Sequence, residues 1–251
     1  MIRLLRKTYQ ILKRLLKSIF NIIAYIPIRI KQFIKFKPQK TDKILVLGGY
    51  GYQNVGDEAQ LSQNISLLEN EFPKSIIKVL TPNEIYTFRY HNKCHVGPAP
   101  RNAFYDQDIS HHYLYSLESS VQKIRFILRS ALIYFNVYLV RAGIPTFFLG
   151  AKRTALIHEL KTSSMVYFSG GGYLTGKTLS RFWDSMLFIN MASVFKIPVY
   201  LSAQTIGVWN GRFNEMLGKW GLKKARLISL RDPVKSREDL QKIGIPMERV
   251  H

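Results

Sequence analysis

A chain of 251 residues with 47% hydrophobic side chains can bury a sizeable core, which argues against a disordered protein. Its net charge of +21 calls for an acidic partner: nucleic acid, anionic lipid or a phosphorylated substrate. The single cysteine, Cys94, excludes an intramolecular disulfide and suits a reducing, cytoplasmic compartment.

The charge is unevenly spread. Residues 1–40 hold eleven Lys and Arg and no Asp or Glu, leaving +10 on the other 211 residues. At roughly 100° per residue, Leu5, Leu12, Leu16, Ile19, Ile23 and Ile26 gather on one side of a helix and Arg3, Arg6, Lys13, Arg14 and Lys17 on the other. That pattern predicts a basic amphipathic arm lying on an anionic membrane surface. Its apolar run, Ile19 to Ile28, is too short to span a bilayer. Basic residues throughout argue against a signal peptide, and abundant Leu and Ile argue against a nucleic-acid arm, so no nucleic-acid partner is expected. Packing of the arm on its own domain would explain the apolar face but not eleven uncompensated charges.

From residue 41 the chain alternates strands and helices. "KILVLGG" reads as a buried parallel strand ending in glycines. "NVGDEAQLSQNISLLENEF" reads as a helix, with Ala59, Leu61, Ile65 and Leu68 inward and Pro73 as its stop. "SIIKVL" is a second strand, closed by Thr81-Pro82. "HNKCH", His91 to His95, reads as ordinary loop, because adjacent Cys94 and His95 do not share one metal. An insertion over about 100–160 follows. Residues 119–158 hold six Lys and Arg and no carboxylate, and "SALIYFNVYLV" within them is strongly apolar, as expected of a membrane-docking or partner-docking segment. Then come the strand "MVYFSGGG", a helix through "LSRFWDSMLFINMASVF", the strand "IPVYLSAQ", a short helix, the strand "ARLISL" and a last helix, "DPVKSREDLQKIG". Five strands alternating with helices predict an α/β fold, a doubly wound, mostly parallel Rossmann-like sheet. Ligands in such sheets bind at the carboxyl ends of the strands, where "GGYGYQNVGDE", "SGGGYLTG", "SAQTIG" and "SLRD" stand.

Two phosphate-loop patterns fail on inspection. Gly171 to Thr178 fits G-x-x-x-x-G-K-[ST], but bulky Tyr173 and Leu174 occupy its middle, and no strand ends in the metal-binding Asp that nucleotide hydrolysis wants. A dinucleotide fingerprint from Gly49 has Asn54 where the third glycine belongs, and Thr81 where an acidic residue would hold a ribose.

The four loops together, "GGYGYQNVGDEAQL", "SGGGYL", "AQTIGVW" and "ISLRDPVKSREDLQKIGI", resemble the polysaccharide pyruvyltransferase family over residues 43–251. The last departs slightly, with Lys235 shifting Ser236 by one place. The resemblance implies a GT-B-like fold of two Rossmann-like halves, with a second half beyond residue 251 that supplies further Arg and His residues and the general acid–base group. It implies transfer of an enolpyruvyl unit from phosphoenolpyruvate, a donor substrate, to a lipid-linked or nascent cell-surface polysaccharide; no cofactor or metal is implied. The basic arm would hold such an enzyme on the inner face of the cell membrane. A sugar-nucleotide glycosyltransferase of the same shape and an inactive membrane-bound remnant are the alternatives.

By the same resemblance Arg231 is the donor-binding catalytic arginine, whose fork suits a carboxylate and a phosphate; pairing with Asp232 is the structural alternative. Gly49, Gly51 and Gly56 let the backbone approach a ligand, as do Gly170, Gly171 and Gly172 at a helix start. Helix capping is expected of Asp57 and shaping of the cleft of Asn54, and Gln204 completes the substrate-binding set.

Overall fold

The computed structural model describes residues 41–52, 54–104, 120–146, 149–176 and 179–251. The basic arm lies outside them. Seven strands and eight helices are described: β1 (Lys43–Leu47), α1 (Val55–Glu71), β2 (Ile76–Thr81), α2 (Glu84–Tyr90), β3 (His95–Pro98), α3 (Pro100–Phe104), α4 (Ser120–Arg141), α5 (Gly150–Lys161), β4 (Met165–Phe168), β5 (Gly171–Thr175), α6 (Leu179–Val194), β6 (Val199–Gly207), α7 (Arg212–Leu222), β7 (Leu227–Leu230) and α8 (Lys235–Lys242). The expected α/β architecture is present, with two strands more than the five read from the sequence. β3, "HVGP", is too short and glycine-bearing to signal itself, and β5 occupies the glycine stretch expected at a helix start, the next helix beginning only at Leu179.

Every pairing in the sheet is parallel. The order runs β3-β2-β1-β4-β6-β7, with β5 following β4 along the same edge of β6. From β1 the chain winds outward to β2 and β3, then returns to β4 on β1's other side. The switch point of this doubly wound sheet therefore lies between the carboxyl ends of β1 and β4, where a crevice must open.

Strand alternation sends side chains to two cores. Ile44 and Val46 of β1 join Leu61, Ile65 and Leu68 of α1 on one face. Leu45 and Leu47 join the larger core formed with α3 to α7 on the other. Ala59 is exposed rather than inward, and Asn64 takes a buried place on α1 instead. There its amide donates to Ser169 Oγ (2.8 Å) and its carbonyl accepts from the Tyr167 hydroxyl (2.9 Å). These bonds fix α1 against the end of β4.

Candidate active site

β1 ends at Leu47, and Gly48 to Gly51 turn the chain across the sheet edge into α1. The turn is anchored from below by Tyr50, 1% exposed within the α1-side core. Gly51 has φ +85°, and a Cβ there would stand 2.5 Å from Thr81 Oγ1, so glycine is required. Its N–H donates to Glu58 Oε1 (2.7 Å), while Glu58 Oε2 meets His91 Nε2 (2.9 Å). His91 stands in the expected loop after α2, where it is a buried support of the first loop; a contact across 33 positions leaves no local pattern.

The expected roles of Asn54 and Asp57 are exchanged. Asn54 caps α1, its Oδ1 accepting from Gly56 N–H (3.1 Å), and its amide donates to Asp57 Oδ2 (3.0 Å). Asp57 turns toward Gly49, whose Cβ would lie 3.4 Å from the carboxylate. Burial raises its pKa; the Arg181 charge opposes this, Glu58 adds to it, and Asn54 and Arg231 oppose it, but burial prevails. Arg181 and Arg231 therefore both act on one carboxyl, although they come from α6 and from the end of β7. Arg181 also lies over the Tyr52 ring at 4.5 Å. It escaped the sequence reading because no motif contains it.

The second loop breaks a strand. β4 stops at Phe168, Ser169 and Gly170 leave the ladder, and pairing with β6 resumes at Gly171. That rules out a phosphate-wrapping loop, since Gly171 to Thr175 is β5; Lys177 and Thr178 lie outside the described residues. Gly170 is enclosed, and a Cβ there would meet the Gln60 side chain and the Ala203 carbonyl. Gly171 has φ +154°, and a Cβ there would press the Tyr173 ring at 2.8 Å. Gly172 is exposed with open space above it, the one member of the triplet that faces outward freely.

Gln204 belongs to the frame. β6 bulges before it, with Ala203 at φ +45°, and the side chain is fully buried. Its amide donates to the Ser169 carbonyl and to the Tyr173 hydroxyl (3.1 Å). Its backbone carbonyl accepts from Arg231 N–H (3.0 Å). One residue thus joins the glycine break to the Arg231 loop, and its side chain is turned away from solvent. Arg231 itself is exposed, and Asp232 instead caps the start of α8 by accepting from Val234 and Lys235 N–H, both at 3.2 Å. The shifted Ser236 accepts from Ile206 N–H at 3.1 Å, fastening α8 to β6.

A cleft of about 500 Å³, counted with its open mouth, lies at these strand ends; Gly48, Tyr52, Arg101, Tyr173, Arg181 and Asp184 are among its walls. A larger groove beside α1 has only Asp42 and Glu71 as charged lining, which repels an anion. Among the described residues, no group of His, Cys, Asp and Glu could hold a metal ion.

A comparison with curated proteins and one with solved structures match nothing. A family model described as polysaccharide pyruvyl transferase matches residues 54–251, from the Asn54 cap through the Arg231 loop to the last residue of the sequence. That span covers most of the chain, starting just after the first glycine loop, and the chain belongs to the polysaccharide pyruvyl transferase family.

Proposed function

We propose that this transferase moves the enolpyruvyl unit of phosphoenolpyruvate onto two hydroxyls of a cell-surface polysaccharide sugar. One observation carries the reading: a cleft at the strand ends whose walls include Arg181 and Arg101, with the Asp57 carboxyl turned toward Gly49 beside it. Phosphoenolpyruvate has a carboxylate and a phosphate, and two arginines can each take one of them through paired N–H donors. Arg231 stands exposed at the end of β7, outside the cleft wall that Arg101 and Arg181 share.

In the transfer two sugar oxygens bond to C2 of the donor, and the C2–O bond to phosphate breaks. One hydroxyl proton ends on C3, making the methyl group of the ketal, and the other leaves with phosphate. Both sugar protons must therefore be moved. Asp57 suits that role, because a carboxyl raised by burial both holds and releases a proton nearer neutrality. The flanking cations stabilise charge on the departing phosphate. We place the transfer on the cytoplasmic side of a membrane, where lipid-linked acceptors are displayed; among the described residues no helix is long and apolar enough to cross one.

The test is release of inorganic phosphate from phosphoenolpyruvate by the full chain with extracted glycolipid acceptor, alongside Arg231→Lys and Arg181→Ala. Acceptor-dependent release that falls in both variants supports the reading. Protection by a sugar nucleotide, with indifference to phosphoenolpyruvate, would replace it with glycosyl transfer.

A further inference from the structure

α4 has two unlike faces. Phe126, Ile133, Val137 and Val140 are buried in the core. On the other side Ile124, Ile127, Leu128, Leu132, Phe135 and Tyr138 are exposed, Leu128 to 67% and Phe135 to 57%. At the helical repeat these six fall within an arc of about 140°, one continuous stripe along a helix roughly 33 Å long. Single exposed apolar residues are ordinary, but an aligned row of six marks a docking surface.

The charges around the stripe identify the occupant. Lys123 and Arg125 flank it on opposite sides, and the whole of α4 contains no Asp or Glu. Beside it, Trp220 of α7 packs on Tyr134 at 5.5 Å, bringing an exposed indole to the same surface, with exposed Lys219 and Lys223 nearby in sequence. A second copy would set two basic rims against each other, and the arm of residues 1–40 carries eleven charges of that same sign. An anionic bilayer offers an apolar layer and negative headgroups together. We propose that α4 lies flat in the headgroup region of an anionic membrane, the stripe toward the acyl chains and Trp220 and Tyr138 at the boundary. This docking stands whether or not phosphoenolpyruvate is the donor.

Its test reads the helix locally, so that attachment through the arm cannot mimic it. Cys94 is 4% exposed, so a cysteine introduced by Leu128→Cys takes an environment-sensitive fluorophore selectively in the full chain. Vesicles of phosphatidylcholine with phosphatidylserine should shift the probe to the blue and allow quenching by brominated acyl chains. Vesicles of phosphatidylcholine alone should do so at least tenfold less well. Paired Ile124→Glu and Phe135→Glu in the labelled chain should abolish the shift while leaving the folded circular dichroism unchanged. Co-sedimentation with vesicles and no probe shift would overturn the proposal, as would equal shifts on neutral and anionic lipid. A shift that grows with protein concentration without lipid would assign the stripe to a second copy and overturn it too.

Discussion

Gly51 stands at φ +85° with no room for a methyl group beside Thr81, itself fully buried and bonded to the Thr87 hydroxyl at 2.8 Å. Gly51→Ala must accept a strained backbone or push Thr81 aside, so its unfolding free energy should fall by about 1–3 kcal/mol in urea titration. Asp57 poses the opposite case, a residue that the proposed transfer uses at some expense to the fold. Its folded pKa is raised, so the fold binds the proton more readily than the unfolded chain does. The resulting destabilisation is absent below the ordinary carboxylate range and grows as pH rises through the folded pKa. Asp57→Asn should therefore raise the melting temperature near neutral pH, with the gain vanishing in acid, while lowering transfer by about 10²–10⁴-fold. A variant that is less stable at neutral pH would show that the Asn54 contact outweighs the burial.

Elements are held in register by contacts that cross long stretches of chain. Glu159 on α5 takes Lys43 of β1 at 2.7 Å and Lys78 of β2 at 3.1 Å, clamping the helix across two neighbouring strands. Burial would raise its pKa, but the two lysines overcome that and hold it below its ordinary value. The clamp's stability is therefore present above the ordinary carboxylate pKa and is lost as pH falls through the lowered one. With the Glu159 side chain 31% exposed, Glu159→Gln should cost no more than about 1 kcal/mol near neutral pH. Melting curves of the two proteins should converge in acid. The break between β4 and β5 and the bulge in β6 lie against each other: a Cβ at Gly170 would displace the Gln60 amide and come within 3.0 Å of the Ala203 carbonyl in the bulge. Gly170→Ala should therefore displace Gln60 and press on the bulge before Gln204, raising KM for the donor while the melting temperature changes little.

For the molecule as a whole, Cys94 is a built-in reporter. It sits in the core beneath α1, and burial pushes its thiol up to about 11, so the reactive thiolate is scarce at neutral pH. Alkylation should proceed only as fast as the α1 side of the sheet opens, and its rate under mild urea should track unfolding measured by circular dichroism. Faster labelling would mean that α1 opens locally, which would bear on how the first glycine loop is positioned.

Much of this molecule could be read along the chain. The apolar runs ending in glycine, the helical spacing of Leu61, Ile65 and Leu68, and the four loops at strand ends led to the fold class, to the family, and to Gly49, Gly51, Gly170, Gly171, Gly172 and Arg231 as site candidates. The fold class follows from local physics, namely side-chain period, glycine's conformational range and the helix stop at Pro73, whereas the family and the role of Arg231 come from the resemblance of the four loops. What needed the tertiary structure was every pairing that crosses the sheet. His91 with Glu58, Asn64 with Ser169, Gln204 with the glycine break, and Arg181 with Tyr52 join residues from different elements. The exchange of roles between Asn54 and Asp57 has the same origin, since either residue type can cap a helix and only the loop's path decides which one does. Strand order and register, not composition, decided which charges meet at the switch point. Periodicity tells which face of an element is apolar, but only the packed sheet tells what stands opposite it.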